Sequence, residues 1–132
     1  MTKNRLLVLL IYKFLRRERK NSIETSELKR YRSIDQEEAQ DRMEEEDNYL
    51  IVDVRRPDEY EQGHIPNAVN LPLEFIGRTR PGSLPNLEQR IFIYCGGGNR
   101  SRQASEKLSE MGYTGIYEFG GINFWTGDIV KD

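Results

Sequence analysis

Two continuous apolar segments in the middle of the chain have the length and composition of buried β-strands. They are YLIVDV at residues 49–54 and RIFIYC at residues 90–95. Shorter segments of the same kind follow at residues 68–71 and 115–119. Continuous rather than alternating apolar character is typical of parallel strands that are covered on both faces. The pattern therefore predicts the strands of a buried parallel sheet.

Helical segments separate these strands. Residues 33–46 have candidate N-caps in Ser33 and Asp35, with acidic residues in the first turn. Pro57 suits the first turn of a second helix, and apolar residues spaced four and three apart mark a third helix at residues 101–112. Strands that alternate with helices predict an α/β fold in which helices flank the sheet on both faces.

Charge divides the chain into two parts. Residues 1–32 contain 10 basic and 3 acidic residues, whereas residues 33–132 contain 10 basic and 19 acidic residues. We therefore expect a basic, partly apolar N-terminal extension at 1–32 and one folded domain at 33–132. The acidic domain argues against nucleic acid as a partner, because nucleic-acid binding needs a basic face.

The N-terminal extension contains an apolar segment at residues 6–15, interrupted by Lys13. As a helix it would span about 15 Å, half of a bilayer core, so a transmembrane span is not expected. Three alternatives remain: peripheral membrane contact through residues 1–20, a helix that packs against the domain or a partner or else frays, and a degenerate targeting signal. In the first alternative, anionic headgroups would bind four basic residues, namely Arg16, Arg17, Arg19 and Lys20. Residues 21–30 are predicted to be a polar connector with some helical character.

Cys95 is the only cysteine in the chain. A single cysteine excludes an internal disulfide and a CxxC zinc site, so we expect no metal or other cofactor and a reducing, cytoplasmic location. The thiol stands where a strand ends and just before a helix. In a parallel sheet, this is the edge at which ligands bind.

A glycine-rich loop follows the thiol and enters the helix. Glycine lets successive backbone N–H groups turn inward, and the helix N-terminus and an arginine add positive charge. These features predict a cradle for an anion formed on the sulfur of Cys95. The predicted binding residues are Gly96, Gly97, Gly98, Asn99, Arg100 and Ser101.

The segment CGGGNRS at residues 95–101 resembles the active-site loop of the single-domain rhodanese family of sulfurtransferases. Residues 53–72 resemble the upstream signature of that family and residues 112–125 its C-terminal signature, so the resemblance covers about 33–132. It implies a five-stranded parallel sheet and a catalytic Cys95 that carries sulfur as a persulfide. It further implies a small sulfur-containing anion such as thiosulfate as donor, and an external thiol or cyanide as acceptor.

Two other functions are compatible with a similar loop. Phosphatases of related fold separate the cysteine and arginine by five residues, whereas four separate Cys95 from Arg100, so the cradle should be small for phosphate. Phosphatase or arsenate reductase activity is therefore the less favoured alternative. A non-catalytic sulfur-carrier or recruiting module is the second, although the resemblance implies that such modules often lack the cysteine.

Several residues outside the loop are predicted to have supporting roles. Asp53 and Arg55 end a strand near the same edge and should form a structural pair. His64, the only histidine, lies in a segment that the family resemblance implies is structural. Asn67 stands where the family usually has glycine, and it should tolerate the same left-handed turn. Trp125 is expected to be a packing residue.

Overall fold

Five parallel strands form one sheet in the computed structural model, which describes residues 6–17 and 30–131. In the sheet the strands stand in the order β1-β5-β4-β2-β3. Their bounds are β1 Arg32–Ser33, β2 Tyr49–Asp53, β3 Val69–Asn70, β4 Arg90–Cys95 and β5 Ile116–Gly121. This arrangement confirms the predicted five-stranded parallel sheet.

Helices connect the strands and cover the sheet. The α-helices are α1 (residues 6–17), α2 (Gln36–Glu45), α3 (Pro57–Glu61) and α4 (Asn99–Glu110), and short 3-10 turns lie at Leu73–Phe75 and Ile122–Phe124. Asp35 rather than Ser33 caps α2, since its carboxylate accepts a hydrogen bond from the Glu38 N–H at 2.8 Å. Ser33 belongs instead to β1.

The central strand β4 separates two apolar cores. Ile91, Ile93 and Cys95 join one core with residues of α4, whereas Phe92 and Tyr94 join the other core with residues of α2. All five of these side chains are buried. Because successive strand residues point to opposite faces, helices must cover both faces, which confirms the predicted architecture.

The sheet begins at Arg32, one residue before the domain boundary at residue 33 that the charge distribution suggested. Arg32 pairs with Tyr117 in β5, and the preceding Tyr31 is buried in the core on the α4 side. A two-residue strand has no periodicity of its own, so the sequence pattern did not reveal it. Arg19, Lys20 and nearly all of the predicted connector at 21–30 lie outside the described residues.

Helix α1 lies against α2 through charged side chains. Lys13 pairs with Asp41 at 3.4 Å, and Arg17 pairs with Glu45. Among the helices in residues 6–17 and 30–131, none has both the length and the apolar character needed to cross a bilayer. The packing of α1 on the domain corresponds to the second alternative for the extension.

Candidate active site

The carboxyl ends of the central strands bring the predicted site residues to one edge of the sheet. Asp53 ends β2, Cys95 ends β4 and Gly121 ends β5. Cys95 and Gly121 are register partners across a local irregularity in the pairing of β4 with β5. The Cys95 side chain is 1% exposed, so the thiol lies at the floor of the loop that follows it.

The sulfur of Cys95 accepts one hydrogen bond from the loop and donates another to the start of α4. The Gly98 N–H donates to Sγ at 2.9 Å, and the Cys95 thiol donates to the Ser101 hydroxyl oxygen at 3.4 Å. Gly98 is also the N-cap of α4, so the positive end of that helix lies at the sulfur. The Gly98 N–H and the N-terminus of α4 are therefore the groups placed to favour negative charge on Sγ.

The three loop glycines have different structural roles. Gly98 has φ of 108°, a conformation that side-chain-bearing residues rarely adopt. A Cβ on Gly97 would have no neighbour within 4 Å, whereas one on Gly96 would approach the Arg100 guanidinium at 3.1 Å. Backbone conformation therefore requires glycine at position 98, while position 97 has room for a methyl group.

A contact between the loop and the end of β5 escaped the sequence analysis. A Cβ on Gly121 would lie 1.8 Å from the Gly96 carbonyl oxygen. The same carbonyl accepts a hydrogen bond from the Asn123 N–H at 3.2 Å. Glycine at 121 thus lets the loop rest directly on β5. The GG pair at 120–121 was the only sequence signal of this close approach.

Glu118 is the second residue that the sequence analysis missed. Glu118 is 3% exposed, and its Oε1 accepts hydrogen bonds from the Ser101 hydroxyl and the Gly120 N–H, each at 2.8 Å. Ser33 donates to the other oxygen at 3.0 Å. A buried carboxylate needs such donors. The only sequence signal of this role was an acidic residue inside an apolar strand. In the structure, the Glu118 carboxylate holds the Ser101 hydroxyl beneath the sulfur of Cys95.

Arg100 binds a carboxylate that the sequence analysis did not assign to the site. Its two guanidinium nitrogens donate to Glu59 of α3 at 2.6 and 3.1 Å, which is a bidentate pair. The hydrogen bond from Arg100 lowers the pKa of Glu59, and the same bond raises the pKa of Arg100. The loop arginine is therefore held in place by α3, with part of its charge balanced by Glu59.

Asp53 and Arg55 form the structural pair that the sequence predicted. The Arg55 guanidinium donates to both Asp53 oxygens at 2.7 to 3.1 Å, and it also donates to the Gly63 carbonyl at 2.8 Å. Both side chains are buried. The pair fixes the loop after β2 beneath α3, which carries Glu59.

The remaining predicted residues lie in packing positions. His64 is buried and stacks on Tyr60 with ring centroids 3.7 Å apart. Asn67 has φ of 69°, which confirms the left-handed turn. Trp125 packs beside Phe119 with ring centroids 5.7 Å apart. Packing explains the positions of His64 and Trp125, and turn conformation explains that of Asn67, so none of the three needs a chemical role.

An open cavity of about 350 Å³ adjoins the arginine of the loop. Val54, Pro72 and Leu73 provide apolar lining, and the charged lining comes from Arg56, Glu74, Arg100 and Lys107. Three of these four charged residues are basic. The cavity therefore presents mostly positive charge beside Arg100.

Comparison with known proteins gives a consistent result. A family model described as a rhodanese-like domain matches residues 35–128. The chain is similar to thiosulfate sulfurtransferase PspE of Escherichia coli K12, with 39% identity over 71 residues, covering 54% of this chain and 68% of that protein. A sulfurtransferase of Allochromatium vinosum is 38% identical over 93 residues, covering 70% and 85% of the two chains. A solved E. coli rhodanese with anions aligns with a TM-score of 0.59 and 36% identity, covering 64% of this chain and 99% of that one.

Proposed function

Because the chain belongs to the rhodanese-like domain family, we propose that it transfers sulfur by carrying a sulfane sulfur on Cys95 as a persulfide. The sulfurtransferase relatives support sulfur transfer in general. The environment of Cys95 supports the finer assignment, since a backbone N–H and the N-terminus of α4 meet at its sulfur atom. The observation that carries the proposal is the 2.9 Å hydrogen bond from the Gly98 N–H to Sγ at the N-terminus of α4.

The first half-reaction loads the sulfur. The Cys95 thiol releases its proton to solvent, and the thiolate attacks the outer sulfur of a donor such as thiosulfate. A new S–S bond forms on Cys95 while the S–S bond of thiosulfate breaks, and sulfite leaves with the bonding electron pair. The terminal sulfur then carries the negative charge, which the loop N–H groups and the α4 dipole stabilise.

The second half-reaction returns the free thiolate. An external nucleophile, cyanide in an assay or a thiol in the cell, attacks the terminal sulfur. The S–S bond to Cys95 breaks, its electron pair returns to Sγ, and thiocyanate or a new persulfide leaves. Since Cys95 is the only cysteine, no second thiol of this chain can resolve the persulfide. The acceptor must therefore come from outside the chain.

Intact mass spectrometry tests the loading step directly. The reduced protein is incubated with thiosulfate, and we expect the mass to increase by one sulfur atom. Cyanide should then restore the original mass and release one equivalent of thiocyanate. The matched control is Cys95→Ser, which should keep the fold, measured by circular dichroism, and gain no sulfur.

Three results would contradict the proposal. One is sulfur transfer by the Cys95→Ser variant, and another is turnover of p-nitrophenyl phosphate without any sulfur gain, which would indicate a phosphatase. A persulfide that forms but is discharged by neither cyanide nor small thiols would contradict catalytic turnover. That last result would favour the sulfur-carrier alternative.

A further inference from the structure

Helix α1 exposes nearly all of its apolar side chains. They are Leu6, Leu7, Val8, Leu9, Leu10, Ile11, Tyr12, Phe14 and Leu15, and each is between 46% and 64% exposed. None of these nine residues belongs to either apolar core. Within the part of the chain that the structure describes, this is a continuous apolar surface, which in a protein marks an interaction site.

The basic side chains of α1 are less exposed than its apolar ones. Lys13, Arg16 and Arg17 are only 15% to 28% exposed, because they lie against the carboxylates of α2 and its cap. Lys13 contacts Asp41, Arg17 contacts Glu45, and Arg16 contacts a pair of carboxylates, Asp35 and Glu37. A surface helix of a globular protein ordinarily has the opposite orientation, with its charged face toward water. Here the charges of α1 bind the domain and the apolar face points outward.

The angular distribution of these apolar residues indicates what covers them. Residues 6–12 are consecutive, so at about 100° per residue the apolar surface extends around the helix well beyond one stripe, up to the side that lies against α2. A second copy or a protein helix would cover one stripe and leave the rest in water. Acyl chains can cover the whole exposed arc. At about 18 Å, α1 is too short to cross a bilayer but can lie in its interface.

We propose that α1 anchors the protein to a lipid bilayer by inserting its apolar surface at the boundary between headgroups and acyl chains. The carboxylates of α2 hold Lys13, Arg16 and Arg17, so these cations are not offered to anionic headgroups. The domain at 33–132 contains 19 acidic and 10 basic residues, which adds repulsion from anionic lipid. Binding should therefore depend chiefly on apolar insertion, and the three cations of α1 should add no preference for anionic lipid. This differs from the headgroup contacts of Arg16 and Arg17 in the first alternative for the extension.

Flotation of the full-length protein with vesicles tests the proposal. Vesicles of phosphatidylcholine alone are compared with vesicles that contain phosphatidylglycerol as well. We expect partition coefficients that agree within about twofold, since the inserted side chains carry no charge and the cations of α1 are bound to carboxylates. The double variant Val8→Ser/Leu15→Gln changes no charge and should lower the partition coefficient at least about tenfold. Phe75→Ser removes a side chain that is 67% exposed elsewhere on the domain and should not change partitioning.

A second variant tests the role of the α2 carboxylates. Glu37→Gln/Asp41→Asn/Glu45→Gln removes three partners of the α1 cations. We expect this variant to gain a preference for vesicles containing phosphatidylglycerol, because the released cations can reach headgroups. Persulfide formation should stay unchanged in Val8→Ser/Leu15→Gln and in Glu37→Gln/Asp41→Asn/Glu45→Gln. A failure of the lipid proposal can therefore be distinguished from a failure of the proposed function.

Three outcomes would overturn the proposal. The first is that the wild type floats with neither kind of vesicle, and the second is that it floats only with anionic vesicles. The third is that Val8→Ser/Leu15→Gln binds vesicles as well as the wild type does. Light scattering without lipid provides a further check. A stable dimer that Val8→Ser/Leu15→Gln dissociates would show that α1 binds a second copy rather than lipid.

Discussion

Gly97 and Gly98 are neighbours in the loop, but only Gly98 has a backbone conformation that requires glycine. Its φ of 108° places the amide so that the N–H reaches the sulfur of Cys95. A Cβ at 98 would also approach the Arg102 guanidinium at 3.2 Å. At the residue scale, the proposed cradle therefore depends on one position whose backbone conformation requires glycine, and the three glycines are not equivalent.

The first prediction compares alanine at these two positions. Gly98→Ala should lower the free energy of unfolding by about 1–3 kcal/mol, since a non-glycine residue is strained at this φ. The rate of persulfide formation should fall because the N–H moves away from Sγ. Gly97→Ala is the control and should stay within about 0.5 kcal/mol of the wild type. Urea denaturation and thiosulfate kinetics measure both; equal behaviour of the two variants would contradict the assignment.

The second prediction concerns the pair formed by Arg100 and Glu59. Arg100→Ala removes the positive charge and leaves the Glu59 carboxylate without its bidentate partner, so that Arg56 is its remaining cationic neighbour in the structure. The KM for thiosulfate should then rise by about tenfold or more. Glu59→Gln removes the opposing negative charge, so its KM should stay equal to that of the wild type or fall. Steady-state thiocyanate formation gives both values, and a similar rise in both variants would mean that the pair acts only by holding the loop.

At the scale of elements, the site depends on how closely the loop after β4 approaches the end of β5. Gly121 has an ordinary extended conformation with φ of −136°, so its backbone does not require glycine. The requirement comes from the Gly96 carbonyl, which occupies the space where a side chain would begin. Glu118 lies on the same strand and holds Ser101. Strand β5 therefore supports the loop through one close contact and one buried carboxylate.

The third prediction tests this contact. Gly121→Ala should lower the free energy of unfolding by about 1–3 kcal/mol, because the methyl group forces β5 and the loop apart. The matched control is Gly77→Ala, where a Cβ would have no neighbour within 4 Å. Gly77→Ala should be neutral or slightly stabilising. Urea denaturation of both variants provides the comparison, and a neutral Gly121→Ala would refute the close approach.

At the scale of the whole molecule, ion pairs join α1 to the domain, and none of its apolar side chains belongs to either described core. Exposed ion pairs contribute only about 0–1 kcal/mol each. The first residue that joins a described core is Tyr31, so the cores do not include α1. The stability of the domain should therefore be nearly independent of α1.

The fourth prediction follows from this division. Deletion of residues 2–17 should change the free energy of unfolding by less than about 2 kcal/mol, with the denaturant m value reduced only slightly. Persulfide formation should be unchanged, since the ion pairs of Lys13, Arg16 and Arg17 are with α2 and its cap rather than with the loop. Urea denaturation and mass spectrometry test both statements. Loss of cooperative unfolding would show instead that α1 is part of the folding unit.

Local sequence patterns predicted most of the elements and an anion cradle in the loop after β4. Continuous apolar segments predicted β2 and β4, the acidic first turn predicted α2, and the order of Cys95, glycines and Arg100 predicted an anion cradle. These signals need only neighbouring residues, because strand period, helix capping and turn conformation are local properties. The two-residue strand β1 was missed, since it exists only through its pairing with β5.

The tertiary structure decided which distant residues meet at the loop and which way α1 faces. Glu59 precedes Arg100 by 41 positions, and Glu118 follows Ser101 by 17. Apolar composition alone left the environment of α1 open, and the position of the α2 carboxylates settled it. Such contacts depend on how elements pack in three dimensions, because neither partner of a long-range pair carries a local signal of the other. The sequence by itself thus determined the sulfur chemistry expected at Cys95, while folding determined the residues that hold its loop in place.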